Sequence, residues 1–181
     1  MKKYSILVLA TFLILFSGCD KDTKDNVKQI QDSRLKIGQN LTFKTTTSDN
    51  ITLTKTSDGF KYENSDNKTT MLFVFTTWCA PCKAQIPYLN NLQNRYNDNL
   101  KIIGVLVEGD KPFNEVENYV NSNSVEFSVT YDANNMKFLN ELGEVKSLPY
   151  MVIYDKDGNY KTHYTGAVLE EMIEADLKRV F

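Results

Sequence analysis

The sequence predicts an α/β fold: a mixed central sheet with helices on both faces, preceded by an N-terminal β-hairpin. Three observations carry that prediction. Strand-like and helix-like segments alternate from Met71 to the end of the chain. Two runs, Met71-Leu72-Phe73-Val74-Phe75 and Leu100-Lys101-Ile102-Ile103-Gly104-Val105-Leu106-Val107, are apolar almost throughout, as strands covered on both faces are. The first run leads through Thr76-Thr77-Trp78 into Cys79-Ala80-Pro81-Cys82, where a helical pattern begins. A strand that delivers Cys-x-x-Cys to a helix start places Cys79 beside unpaired N–H groups and the positive dipole end, which favour a thiolate. Cys82 then lies one turn in, close enough to form a disulfide with it.

The elements follow in order. Leu41 to Tyr62 alternates apolar and polar residues, with breaks at Ser48-Asp49-Asn50 and Asp58-Gly59, which fits a hairpin or meander of short strands. After the cysteines, Ala84, Ile86, Tyr88, Leu89, Leu92 and Tyr96 form a helical stripe, with Pro87 inside it expected to kink the helix. Pro112 to Val120 reads as a helix opened by its proline, with Phe113, Val116 and Val120 inward. Phe127 to Tyr131 is a strand, and Asn134 to Leu142 a short helix stopped by Gly143. Ser147 to Tyr154 is a strand with Pro149 near its start, and Asp155-Lys156-Asp157-Gly158 turns it into a return strand, Tyr160 to Thr165. Val168 to Phe181 closes the chain as a helix, with Leu169, Met172, Ile173, Leu177 and Val180 at helical spacing. His163 and the tyrosines of these last strands read as ordinary strand and packing residues.

Composition bounds the rest. The 181 residues are 41% hydrophobic and 24% charged, with a formal net charge of -2, and no basic patch stands out, so nucleic acid is not an expected partner. The three cysteines are too few for a disulfide scaffold. Lys2 and Lys3 followed by the apolar run Ile6 to Phe16 have the form of an export signal, short for a transmembrane span. Phe16-Ser17-Gly18-Cys19 resembles a bacterial lipoprotein cleavage box. That resemblance implies removal of residues 1–18 and lipidation of Cys19; the alternative is an uncleaved anchor helix. Residues 19–40 are polar and read as a tether, leaving 41–181 as the folded domain. The domain is expected in the cell envelope, lipid-anchored to a membrane, in the periplasm or outside the cytoplasmic membrane. That compartment is oxidising, so a lone Cys-x-x-Cys there is a structural disulfide or a thiol–disulfide catalyst.

Trp78-Cys79-Ala80-Pro81-Cys82, Pro87 five residues further on, and Leu148-Pro149 opening a strand ahead of Asp-Lys-Asp-Gly together resemble the thioredoxin fold. Within it, the leading hairpin and the added segment Pro112 to Tyr131 resemble the TlpA/ResA-like thiol–disulfide oxidoreductases. The resemblance spans Leu41 to Phe181. It implies that Cys79 is the nucleophile, that Cys82 resolves the mixed disulfide, and that Pro149 is cis and backs onto the pair. It further implies that Leu148 offers its backbone to an extended substrate, that Pro81 tunes the thiolate, and that Trp78 is a contact surface. Two positions depart from relatives of this kind: Phe73 replaces the buried acid of thioredoxin, and Gln85 stands where many ResA-like proteins carry Glu. Glu108, at the end of the second buried strand, is then the candidate proton acceptor for Cys82.

The implied activity is reduction of disulfides in exported proteins, apocytochrome c being the usual family substrate, with a thiol-reducing membrane electron donor as the second partner. A monomer, no cofactor and no metal are expected. A disulfide-forming oxidase or isomerase on the same fold is the runner-up; Pro81 beside the second cysteine resembles the reductants, whereas strong oxidants usually carry His there. A non-catalytic metal-delivery module is the third reading. It suits the sequence poorly, because its two cysteines usually lie three residues apart and a histidine completes them, while His163 is remote.

Overall fold

The computed structural model describes residues 34–181 apart from Ser48 and Asp110. The expected signal segment, Cys19 and most of the expected tether lie outside the described residues. Among the described residues, fixed backbone contacts precede Leu41: the Leu35 N–H donates to Glu141 Oε1 at 2.7 Å, and the Gly38 N–H to the Lys55 carbonyl at 2.8 Å. The last part of the polar stretch thus lies against the domain, because its backbone finds fixed partners there.

Two sheets form. β1 (Asn40–Phe43), β2 (Ile51–Lys55) and β3 (Phe60–Tyr62) make a small antiparallel meander. The central sheet has five strands in the order β6-β5-β4-β7-β8. β4 (Thr69–Phe75), β5 (Leu100–Leu106) and β6 (Ser128–Thr130) run parallel, while β7 (Tyr150–Tyr154) runs antiparallel to β4 and β8 (Tyr160–Thr165) antiparallel to β7. β4 is central and every one of its seven residues is buried. Its alternation sends Met71, Phe73 and Phe75 into one core and Leu72 and Val74 into another.

The helices divide unequally between those faces. α1 (Ala80–Arg95), α2 (Phe113–Ser122) and α4 (Glu170–Val180) cover the Phe73/Phe75 side through Ile86, Leu89, Val116, Ile173 and Leu177. α3 (Asn134–Glu141) and the β1–β3 meander cover the other, where Phe138 meets Phe60 edge-on at 5.0 Å. α1 remains one helix of sixteen residues through Pro87. Gly143, at φ +82°, ends α3 in the left-handed conformation that glycine adopts without strain. Three expected core residues face out instead. Phe113 is exposed at the first turn of α2, its ring tilted against Tyr131, and Leu169 and Met172 are exposed at the start of α4. Burial in these helices follows the narrower rows Val116/Tyr119 and Ile173/Leu177, one turn apart.

Candidate active site

β4 ends at Phe75, and a turn closed by the Cys79 N–H donating to the Thr76 carbonyl (3.3 Å) brings the chain into α1. Cys79 is the N-cap of that helix, in an extended conformation (φ -76°, ψ 103°). Its Sγ accepts from the Cys82 N–H at 3.2 Å, the bond that serine or aspartate oxygens make at other helix starts. Pro81, in the first turn, removes a donor that would otherwise be unpaired. No acidic residue stands in that turn, so nothing competes with a Cys79 thiolate for the positive end of the helix. Cys79 and Cys82 are joined as a disulfide, with Cα atoms 5.2 Å apart. Cys79 is 5% exposed and Cys82 fully buried, so an incoming group meets Cys79 first.

Beside the pair opens a groove of about 780 Å³. It is lined by Trp78, Ala80 and Pro81 from the cysteine turn, by Val107 and Leu139, and by the segment from Gly143 to Leu148. Trp78 stands 74% exposed at its mouth, and the peptide between Leu148 and Pro149 is cis. The Pro149 carbonyl accepts from the Gly166 N–H at 2.8 Å, which joins this loop to the one that precedes α4. The site therefore gathers Trp78, Cys79, Pro81 and Leu148 around one groove, with Cys82 behind Cys79.

Glu108 lies apart from that groove's lining. Its carboxylate accepts from the Thr77 hydroxyl, with Oγ1 2.8 and 3.0 Å from its two oxygens, and lies 3.5 Å from the Lys111 ammonium. Among the described residues those are its side-chain partners; Cys82 is not one of them. Nearby, Tyr119 stacks on Phe75, and burial, aided by the Glu108 charge, pushes its hydroxyl up to about 12. Gln85, one turn beyond Cys82, is fully buried; its Oε1 accepts from the Val168 N–H at 2.9 Å and its Nε2 has no partner. His163 is on β8, stacked on Tyr150 and hydrogen-bonded to the Tyr160 hydroxyl. Among the described residues no three His, Cys, Asp or Glu side chains come together as a metal-binding group.

Comparison with known proteins decides what this arrangement is. The family model described as Redoxin matches residues 36–180. The chain belongs to the Redoxin family. Two curated relatives named thiol-disulfide oxidoreductase ResA, from Bacillus thuringiensis (strain Al Hakam) and Bacillus anthracis, are each 28% identical over 183 residues, covering 99% of this chain and of theirs. Among solved structures, StoA from Bacillus subtilis covers 77% of this chain and 97% of its own, with TM-score 0.60 and 17% identity. The pneumococcal exposed lipoprotein thioredoxin Etrx1 from Streptococcus pneumoniae strain TIGR4 covers 78% and 99%, with TM-score 0.64 and 19% identity. These two share the thioredoxin-like fold. Together with the Cys79–Cys82 pair, the family makes this redoxin a thiol–disulfide oxidoreductase whose substrates are protein thiols and disulfides.

Sequence reasoning overlooked two features. The first is the lining segment from Gly143 to Ser147, a loop far from the cysteines in sequence that ends at the expected Leu148. The second is Thr77, whose partner Glu108 lies 31 residues away. No local pattern links the two, because they lie just past the ends of β4 and β5.

Proposed function

We propose that this redoxin is a lipid-anchored, exported reductase that keeps chosen cysteines of envelope proteins in the thiol form. The observation that carries the reading is Cys79 as the sulfur N-cap of α1, at the edge of an apolar groove, with Cys82 buried behind it. In the reduced state the Cys79 thiolate attacks one sulfur of a substrate disulfide. One substrate thiolate leaves and a mixed disulfide forms. The Cys82 thiolate then attacks Cys79 Sγ, releasing the second substrate thiolate and closing the Cys79–Cys82 disulfide. Two electrons pass to the substrate, and the two thiolates it gains are protonated from solvent. A dithiol donor in the membrane returns the pair to its reduced form by the same two exchanges in reverse.

The groove suits an extended chain: Trp78 and Pro81 offer apolar contact next to Cys79, and Leu148 lines the same groove. Apocytochrome c before haem attachment is the substrate to which the family resemblance points. The anchor rests on Phe16-Ser17-Gly18-Cys19, and a fold neighbour, Etrx1, is itself an exposed lipoprotein. A lipidated amino-terminal peptide at Cys19 in mass spectrometry supports the anchor, and an intact signal segment refutes it.

The direction of electron flow is tested by the reduction potential of the Cys79–Cys82 pair. A value near or below about −270 mV, that of thioredoxin, is expected. A value near about −120 mV, that of a strong oxidant, reverses the assignment to disulfide formation.

A further inference from the structure

We propose that Glu108 is a positioning residue for the redox turn, acting through the Thr77 hydroxyl rather than by taking a proton from Cys82. The inference rests on the dithiol reading above and deepens it. Past the end of β4, Thr76 lines the groove, while Thr77 is absent from that lining and lies on the side of Glu108. On that side Glu108 turns both carboxylate oxygens to one hydroxyl, at 2.8 and 3.0 Å.

The carboxylate is only 6% exposed. A charge held that far from water is costly unless it is paired and hydrogen-bonded, and here Lys111 and Thr77 supply the pairing. Tyr119, close enough to feel the Glu108 charge, presents a buried hydroxyl that has no partner among the described residues. This carboxylate is absent from the groove lining, and its side-chain partners among the described residues are Thr77 and Lys111. It is well placed to hold Thr77. Thr77 is two residues before Cys79, inside the turn in which the Cys79 N–H donates to the Thr76 carbonyl. Fixing Thr77 therefore fixes how Cys79 enters α1, and with it the alignment of Sγ on the Cys82 N–H.

The test uses the full chain with Thr77→Val, Thr77→Ser, Glu108→Ala, Glu108→Gln and the Thr77→Val/Glu108→Ala double variant. Insulin reduction and the pH dependence of Cys79 alkylation by iodoacetamide are the two readouts. Thr77→Val and Glu108→Ala are each expected to lower kcat/KM about tenfold, since small displacements of reacting groups carry losses of that order. The double variant should be no slower than the worse single, because both remove one interaction. Thr77→Ser and Glu108→Gln keep a donor and an acceptor and should stay within about threefold of wild type. The alkylation midpoint should shift alike in Thr77→Val and Glu108→Ala, and return in the two conservative variants.

Glu108→Gln as slow as Glu108→Ala beside a fast Thr77→Val overturns the proposal and restores Glu108 as a proton acceptor. Additive losses in the double variant overturn it as well. Should Glu108→Ala fail to fold, Thr77→Val against Thr77→Ser decides alone, and equal rates for those two sink the idea. A wild-type chain that cannot reduce insulin defeats the thiol–disulfide reading instead, while the alkylation series still decides the role of Glu108.

Discussion

The two ends of the central sheet treat their buried polar groups differently. At the end where β7 turns into β8, side chains are fully engaged. Asp155 accepts from the backbone N–H groups of Asp157 and Asn159, at 3.0 and 2.9 Å, and pairs with Lys161 at 2.7 Å. At the same end Gln93 donates to the Leu100 carbonyl at 3.0 Å and accepts from the Ile102 N–H at 2.7 Å. It stands in for a neighbouring strand where β6, which pairs only with Ile103 to Val105, has not begun. At the cysteine end, Thr76 Oγ1, Gln85 Nε2, the Tyr119 hydroxyl and Asn135 Oδ1 are buried without partners. Buried polar atoms are rarely left so, and the exceptions among the described residues lie toward the cysteine end of the sheet. Toward the β7–β8 turn no buried side-chain nitrogen or oxygen among the described residues lacks a partner. The end that carries the disulfide leaves these four buried atoms without a protein partner.

The largest effects test the cysteine end. Cys79→Ser is expected to abolish insulin reduction. Cys82→Ser should leave the mixed disulfide unresolved, so that a covalent adduct with substrate accumulates on non-reducing gels. An active Cys79→Ser variant, or no adduct in Cys82→Ser, would remove the chemical basis of the contrast. The next pair compares two buried glutamines. Gln93→Leu strands the Leu100 carbonyl and the Ile102 N–H, and should lower stability by roughly 2–5 kcal/mol in urea unfolding. Gln85→Leu strands the Val168 N–H but also removes an unpaired donor, so its cost should stay within about 1.5 kcal/mol. Equal losses at the two positions would break the comparison.

Much of this was legible in the sequence, for physical reasons that also mark where legibility stops. β4 and β5 announce themselves by unbroken apolar runs because both faces are covered, and the N-cap position of Cys79 follows from a strand running into a helix. Periodicity located α2 and α4 but not the width of their buried faces, which is why Phe113, Leu169 and Met172 turned out exposed. Stripe width is set by what packs opposite, and that is tertiary information. The family resemblance picked out Trp78, Pro81 and Leu148, but the lining from Gly143 to Ser147 escaped for a similar reason, because no local pattern in that stretch refers to the cysteine turn. The Thr77–Glu108 bond is likewise a contact between two strand ends that only the parallel pairing of β4 with β5 brings together.

A smaller effect separates the groove's surface from its frame. Trp78 is 74% exposed, so Trp78→Ala should change stability by no more than about 0.5 kcal/mol. It should raise KM for a peptide disulfide roughly threefold to tenfold, as loss of an aromatic contact surface does. A destabilised variant with unchanged KM would move Trp78 from the contact surface to the framework.

The smallest effect belongs to the other end and appears only in acid. Burial alone would raise the Asp155 pKa, but the hydrogen bonds from Lys161, Asn159 and Asp157 outweigh it and hold the group at about 2, against 3.8 for a free side chain. A carboxyl depressed in the folded state stabilises that state fully above its unfolded value, and loses the contribution as pH falls through the folded one. The stability gap between wild type and Asp155→Asn should therefore be constant above about pH 4 and narrow toward about pH 2. Urea midpoints for the two proteins across that range provide the check. A gap that stays constant into acid would mean that the Asp155 charge adds nothing to the β7–β8 turn, and that this end of the sheet is held by its neutral hydrogen bonds alone.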